Sequence, residues 1–143
     1  MHFRITAALA TAILASPLAL ALPQTDVSAT TEDVSITNFS ATKSSGSISS
    51  VSFTLSGVSC TAENPSVSYD ASAATQCGST NYWFNIVSSS DSSFAVSVIN
   101  RLDVEGSGYF SAGQYGVGYV PASCNGDVCS QSGGAVIIYL TGQ

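Results

Sequence analysis

The sequence predicts an all-β fold, a small antiparallel β-barrel or sandwich stabilised by two disulfides. Three observations predict it. Apolar residues recur at every second position in segment after segment, no window repeats at helical spacing, and four cysteines follow an export signal. The 143 residues suffice for one domain of ordinary size.

The elements follow in chain order. Met1-His2-Phe3-Arg4 is a short positive start, Ile5 to Leu20 is almost wholly apolar, and Ala19-Leu20-Ala21 supplies the small residues of a cleavage site. Residues 1–21 therefore read as a secretory signal peptide, too short and too interrupted by Pro17 for a membrane anchor. Residues 22–33 show no alternation and are expected to form a flexible N-terminal arm. A single domain is expected over 34–143.

Within it, Val51, Phe53 and Leu55 alternate with polar residues, as do the apolar sets Tyr82/Phe84/Ile86, Phe94/Val96/Val98 and Tyr115/Val117/Tyr119 with their own neighbours. Each set reads as a strand. Ala135 to Leu140 is apolar on both faces and reads as a strand covered on both sides. Turn clusters separate them at Lys43–Gly46, Ser88–Ser93, Glu105–Gly108, Pro121–Gly126 and Ser130–Gly134. Seven to ten short strands follow from this spacing.

Composition limits function. The chain is 45% hydrophobic and only 8% charged, with a net charge of −6; neutral polarity comes from 27 serines instead. Nucleic-acid binding and a polybasic membrane role are excluded for want of clustered Lys and Arg. Once residues 1–21 leave, no histidine remains, and Lys43 and Arg101 face nine acids. Serine and cysteine triads that use histidine as base have none.

The cysteines Cys60, Cys77, Cys124 and Cys129 allow three connectivities. Spacing favours nearest neighbours, because Asn125-Gly126 can turn the chain between Cys124 and Cys129. Zinc is disfavoured, since no Cys-x-x-Cys knuckle is present. Asp103 and Glu105 share one face if extended, and Glu63, Asp70, Asp91 and Asp127 are further carboxylates. They read as solubilising acids, and no Asp-x-Asp-x-Asp-Gly calcium loop occurs. No catalytic residue, cofactor site or metal site is expected.

Binding is the stronger expectation. Tyr82, Trp83, Tyr109 and Tyr115, with Phe110 and Tyr119 beside them, offer rigid contact surfaces with polar tips. Asn38-Phe39-Ser40 is a glycosylation sequon, whereas Pro65 blocks Asn64-Pro65-Ser66. In a regular strand Asn38 would share the inward parity of Val34 and Ile36.

Several pieces together resemble a known family. Val34 to Phe39 leads, Ser52-Phe53-Thr54-Leu55 runs into Cys60, and Cys77-Gly78 precedes the aromatic Tyr82-Trp83-Phe84. Tyr119-Val120-Pro121-Ala122-Ser123-Cys124 then comes before Cys129 and the closing run Ala135 to Leu140. This order is similar to that of the small secreted fungal β-barrel family typified by the major Alternaria allergen, which includes elicitors of the plant hypersensitive response. The resemblance covers residues 34–143 and implies the bridges Cys60–Cys77 and Cys124–Cys129, in agreement with the spacing.

Two features depart from the allergen branch. Residues 22–59 hold no cysteine, so a disulfide-linked dimer is not supported, and the span from Cys124 to Cys129 is shorter. The elicitor branch is the better likeness. The resemblance implies a secreted, non-enzymatic elicitor or effector that plant cells perceive. Its implied partner is a host extracellular or cell-surface protein, pathogenesis-related proteins among them, or a small phenolic ligand. The alternatives are a carbohydrate-active enzyme using paired carboxylates and a structural wall-associated protein.

Overall fold

Nine strands account for most of the residues that the computed structural model describes, 31–101 and 113–142. They are β1 (Glu32–Ser44), β2 (Ser47–Leu55), β3 (Val58–Glu63), β4 (Thr75–Gln76), β5 (Tyr82–Ser89), β6 (Ser93–Arg101), β7 (Gly113–Asn125), β8 (Val128–Gln131) and β9 (Val136–Gly142). All named pairings are antiparallel, in the order β3-β2-β1-β8-β7-β6-β5-β4. Among the described residues, no helix is long and apolar enough to cross a membrane.

The central strands share two partners each. The first half of β1 pairs with β9, from Glu32 opposite Leu140 to Ile36 opposite Val136; its second half pairs with β8. Strand β7 repeats the arrangement from the other side: Gln114 and Tyr115 meet β9, and Ala122 to Asn125 meet β8. Strands β8 and β9 therefore sit end to end between β1 and β7.

Local chemistry sets the hairpins. Ser45-Gly46 and Ser56-Gly57 join β1 to β2 and β2 to β3, with φ values of 51°, 82°, 46° and 87°. Two successive positive φ angles match the right-handed twist of the strands they connect. Glycine is needed for a different reason in β7. A Cβ at Gly116 would stand 2.5 Å from the Tyr139 carbonyl oxygen, and one at Gly118 would stand 2.5 Å from Ile138 Cγ1. Strand β9 can lie this close only because β7 is bare there.

Alternating residues face one core. Phe39 and Phe94 have ring centroids 4.9 Å apart, and Phe53 meets Phe84 edge-on at 4.8 Å. Phe39 and Phe53, 6.0 Å apart, join the two pairs into a chain linking β1, β2, β5 and β6. Burying a phenylalanine of this kind contributes about 1.5–3 kcal/mol.

Two disulfides act at different places. Cys124–Cys129 ties paired residues of β7 and β8 across their turn. Cys60–Cys77 instead joins β3, at one end of the strand order, to the residue after β4 at the other end. Both bridges match the expected pairing, and together they use all four cysteines.

Several expectations need correction. Glu32 and Asp33 belong to β1 and not to an arm, because β9 offers them an edge to pair with. Asn38 does not point inward: a register shift between Thr37 and Ser40, with Asn38 at φ 55°, turns it to solvent. Pro121 continues β7, whose turn is confined to Gly126 and Asp127. Strand β9 is covered on one face only, with Ile137 and Tyr139 exposed on the other. The signal segment, Asp103, Glu105, Tyr109 and Phe110 lie outside the described residues.

Two stability predictions follow from this arrangement. The chain-entropy model assigns about 3 kcal/mol to a bridge of the Cys60–Cys77 length and about 2 kcal/mol to the Cys124–Cys129 length. Replacing Cys60 and Cys77 by serine should therefore lower the melting temperature more than replacing Cys124 and Cys129; equal losses would contradict the assignment. Gly116→Ala should cost about 1–3 kcal/mol by overpacking, measured by denaturant unfolding. An unchanged midpoint would contradict the close approach of β9 to Gly116.

Candidate functional site

The outward faces of β5 and β6 are themselves covered. Asn85, Val87, Ala95, Ser97 and Ile99 point away from the core yet are buried. The covering elements include the segment enclosed by Cys60 and Cys77. Val67 bridges to Ile86, and the Ser68 amide donates to the Ile86 carbonyl at 3.0 Å. Asp70 caps a 3₁₀ turn at Ala71–Ala73, accepting from the Ser72 amide at 2.9 Å. Asn85 Nδ2 donates to the Asp70 carbonyl at 2.7 Å, so a buried amide holds this strap down. Arg101 reaches the Ala71 carbonyl and stacks 3.7 Å from the Trp83 ring centroid. Trp83 is thus half-buried beneath a cation.

Beside the strap the surface is rich in exposed tyrosine. Tyr69 on the strap is 78% exposed, Tyr119 on β7 is 69% exposed and Tyr139 on β9 is 63% exposed. Tyr115 on β7 and Ile137 on β9 are also exposed. Tyr115 and Tyr119 are four residues apart on one strand, which keeps them on one face roughly 13 Å apart. Tyr115 pairs with Thr141, bringing the outer side of β9 alongside. Burial, and after it the nearby Tyr69 phenol, hold the Tyr115 phenol above its ordinary range. The result is a face of phenols and aliphatic groups with the exposed Asp33 carboxylate opposite Tyr139.

A second polar group closes one end of the core. The Tyr82 hydroxyl donates to Glu32 Oε1, and Asn100 Nδ2 donates to Glu32 Oε2 at 2.7 Å. Gln114 stands opposite Asn100 and is buried with it. The other end is closed by Lys43, whose ammonium lies 5.4 Å from the Phe94 centroid, donates to the Ser90 carbonyl at 3.0 Å and pairs with exposed Asp91 at 3.3 Å. Arg101 and Lys43 are the two bases beyond residue 4, and both pack against aromatic rings.

A third feature is a cleft of about 490 Å³ at the β1 irregularity, bordered by Asn38, Ser40, Ser130, Gly133 and Gly134. Gln131 fixes its wall: it accepts from the Phe39 amide at 3.1 Å and donates to the Ile36 and Gly134 carbonyls.

The structure separates the expected binding aromatics. Tyr115 lies on the exposed face, Tyr82 turns inward to Glu32, and Trp83 packs under Arg101. Tyr109 is outside the described residues. Tyr69, Ile137 and Tyr139 were not foreseen as surface groups. Alternation in Ile137-Ile138-Tyr139-Leu140 could have marked the last strand's outer side, but both sides are apolar. Glu63, Asp70, Asp91 and Asp127 are exposed and spread over separate turns and ends, and no metal-sized group of three ligands occurs among the described residues.

The family model described as Alternaria alternata allergen 1 matches residues 36–136, from the first strand to the start of the last. No curated protein matches the chain.

The Tyr82 phenol is pushed up to about 12 by burial first, then by its hydrogen bond to Glu32 and the nearby charge. The unfolded phenol titrates near 10. Between these values the unfolded chain releases a proton that the folded protein keeps, so stability falls as pH rises. This contribution is whole below pH 10 and is lost through pH 12. Tyr82→Phe should flatten that decline in urea titrations across the same interval. An identical decline in variant and wild type would refute the pairing of Tyr82 with Glu32.

Proposed function

The chain belongs to the family of Alternaria alternata allergen 1, and from this premise we propose that it acts outside the cell by binding, without turnover. Its role in this reading is that of an elicitor or effector perceived by plant cells. Two intramolecular disulfides suit an oxidising, extracellular setting. The observation that carries the reading is the exposed face of Tyr69, Tyr115, Tyr119, Ile137 and Tyr139 on paired strands and a fastened strap. Tyrosine loses little side-chain freedom when it is covered, and it combines apolar area with a hydroxyl. Such residues are favoured where one protein recognises another.

The proposed partner is a host extracellular or cell-surface protein, pathogenesis-related proteins included. A small phenolic ligand could stack on the same rings. Phenols and aliphatic groups make up most of this face, with Asp33 beside Tyr139 as a carboxylate, which favours shape and hydroxyl contacts over ionic steering. Elicitation asks only for a folded surface, which is consistent with a sequence lacking histidine after residue 21.

Immobilised protein incubated with plant apoplastic fluid should retain a specific host protein, and leaf infiltration should provoke a defence response. Tyr119→Ser combined with Tyr139→Ser should weaken retention about tenfold or more, since an aromatic anchor is typically worth more than about 1 kcal/mol. Asp91→Asn, at the Lys43 end, should leave retention unchanged. Undiminished retention by the folded tyrosine variant would exclude this face. Cleavage of a wall polysaccharide by wild type would replace binding with catalysis.

A further inference from the structure

We propose that Asn38 carries an N-linked oligosaccharide, installed before the barrel closes and displayed beside the β1 cleft. The inference rests on the export assigned above. Asn38-Phe39-Ser40 meets the acceptor rule, as a hydroxyl two residues on is required and no proline intervenes. Asn64-Pro65-Ser66 is exposed too, but its proline disqualifies it.

The fold resolves the objection raised by strand parity. A regular β1 would point Asn38 inward beside Ile36 and turn Phe39 outward, leaving no room for a glycan. The register shift between Thr37 and Ser40 instead places Asn38 at φ 55°, a left-handed conformation that asparagine tolerates better than most residues. Phe39 takes the inward position, only 1% exposed, while Asn38 faces solvent. The Asn38 carboxamide has no hydrogen-bond partner among the described residues, so modification breaks no contact there. The adjoining cleft of about 490 Å³, lined near Asn38 by Ser130, Gly133 and Gly134, has room and hydroxyls for a first sugar.

Topology supplies the time. Glycosyl transfer needs the sequon as an extended, unpaired segment. The Phe39 amide is satisfied by Gln131, 92 residues later, and the free side of β1 is filled only by β8 and β9, residues 128–142. Although Thr37 and Ser40 pair with β2 early, Asn38 and Phe39 have no ladder partner there, so the acceptor asparagine stays unpaired until nearly all of the chain has been made. In the transfer, Asn38 Nδ2 displaces pyrophosphate from C1 of the first N-acetylglucosamine of a lipid-linked oligosaccharide. The Nδ2–C1 bond forms and the C1–O bond breaks. The amide releases one proton, and the lipid pyrophosphate leaves with the bonding electrons.

The test expresses the full chain, residues 1–143, in a filamentous fungus and recovers it from the medium. Peptide-N-glycosidase in heavy-oxygen water converts a glycosylated asparagine to labelled aspartate, which peptide mass mapping locates. The expected result is labelled aspartate at position 38 and loss of the label in Ser40→Ala, a variant that leaves Asn38 and its bulge in place. Secreted, disulfide-bonded protein with unmodified Asn38 overturns the proposal while leaving export intact. A chain that stays inside the cell overturns both export and glycosylation.

Discussion

The Cys60–Cys77 bond is the constraint on which closure of the strand order and the seating of the strap depend. A strand order running from β3 to β4 has two ends, and among the described residues no ladder joins them. The bond ties those ends together over a separation of 17 residues. It also fixes both ends of the intervening strap, which then lies against β5 through Val67, Asp70 and Asn85. The same covalent link therefore closes the core on one side and covers strands β5 and β6 on the other.

That division accounts for how so few charges are used. Lys43 and Arg101 both settle on aromatic rings, one at an end of the core and one on the outer side of β5. The Glu32 carboxylate is half-buried and accepts from Tyr82 and Asn100, so its charge helps close the opposite end. What remains outside β7 and β9 is phenol and aliphatic carbon on backbone held by its neighbours. Rigid aromatic groups lose less on binding than flexible charged ones, because fewer rotatable bonds must be fixed. Close packing and the exposed aromatic face thus draw on the same residues: the glycines that admit Ile138 beneath β7 bring the outer side of β9, with Tyr139 and Ile137, alongside β7.

Much of the fold was legible in the residues. Val51, Phe53 and Leu55, and likewise Phe94, Val96 and Val98, face the core as period-two alternation requires. Both bridges follow the nearest-neighbour spacing. The candidate surface was only partly legible, for physical reasons. Tyr82 and Tyr115 have the same composition signal, yet Tyr82 shares the core parity of Phe84 and Ile86 and meets Glu32, 50 residues away, while Tyr115 faces outward. Tyr139 belongs to an uninterrupted apolar run, so periodicity could not assign it a side. Asn38 escaped parity because an irregularity of one strand depends on Gln131, far along the chain. Strand pairing over long sequence separations decided each of these cases.

Amide hydrogen exchange on folded Cys60→Ser/Cys77→Ser protein, compared with wild type, tests the central role of this bond most directly. Closure by the Cys60–Cys77 link predicts faster exchange confined to Val58–Glu63, the strap and Thr75–Ser89, with β1, β7 and β9 keeping their protection. Unaltered exchange at β3 and β5, or first loss at β7 and β9, would contradict it.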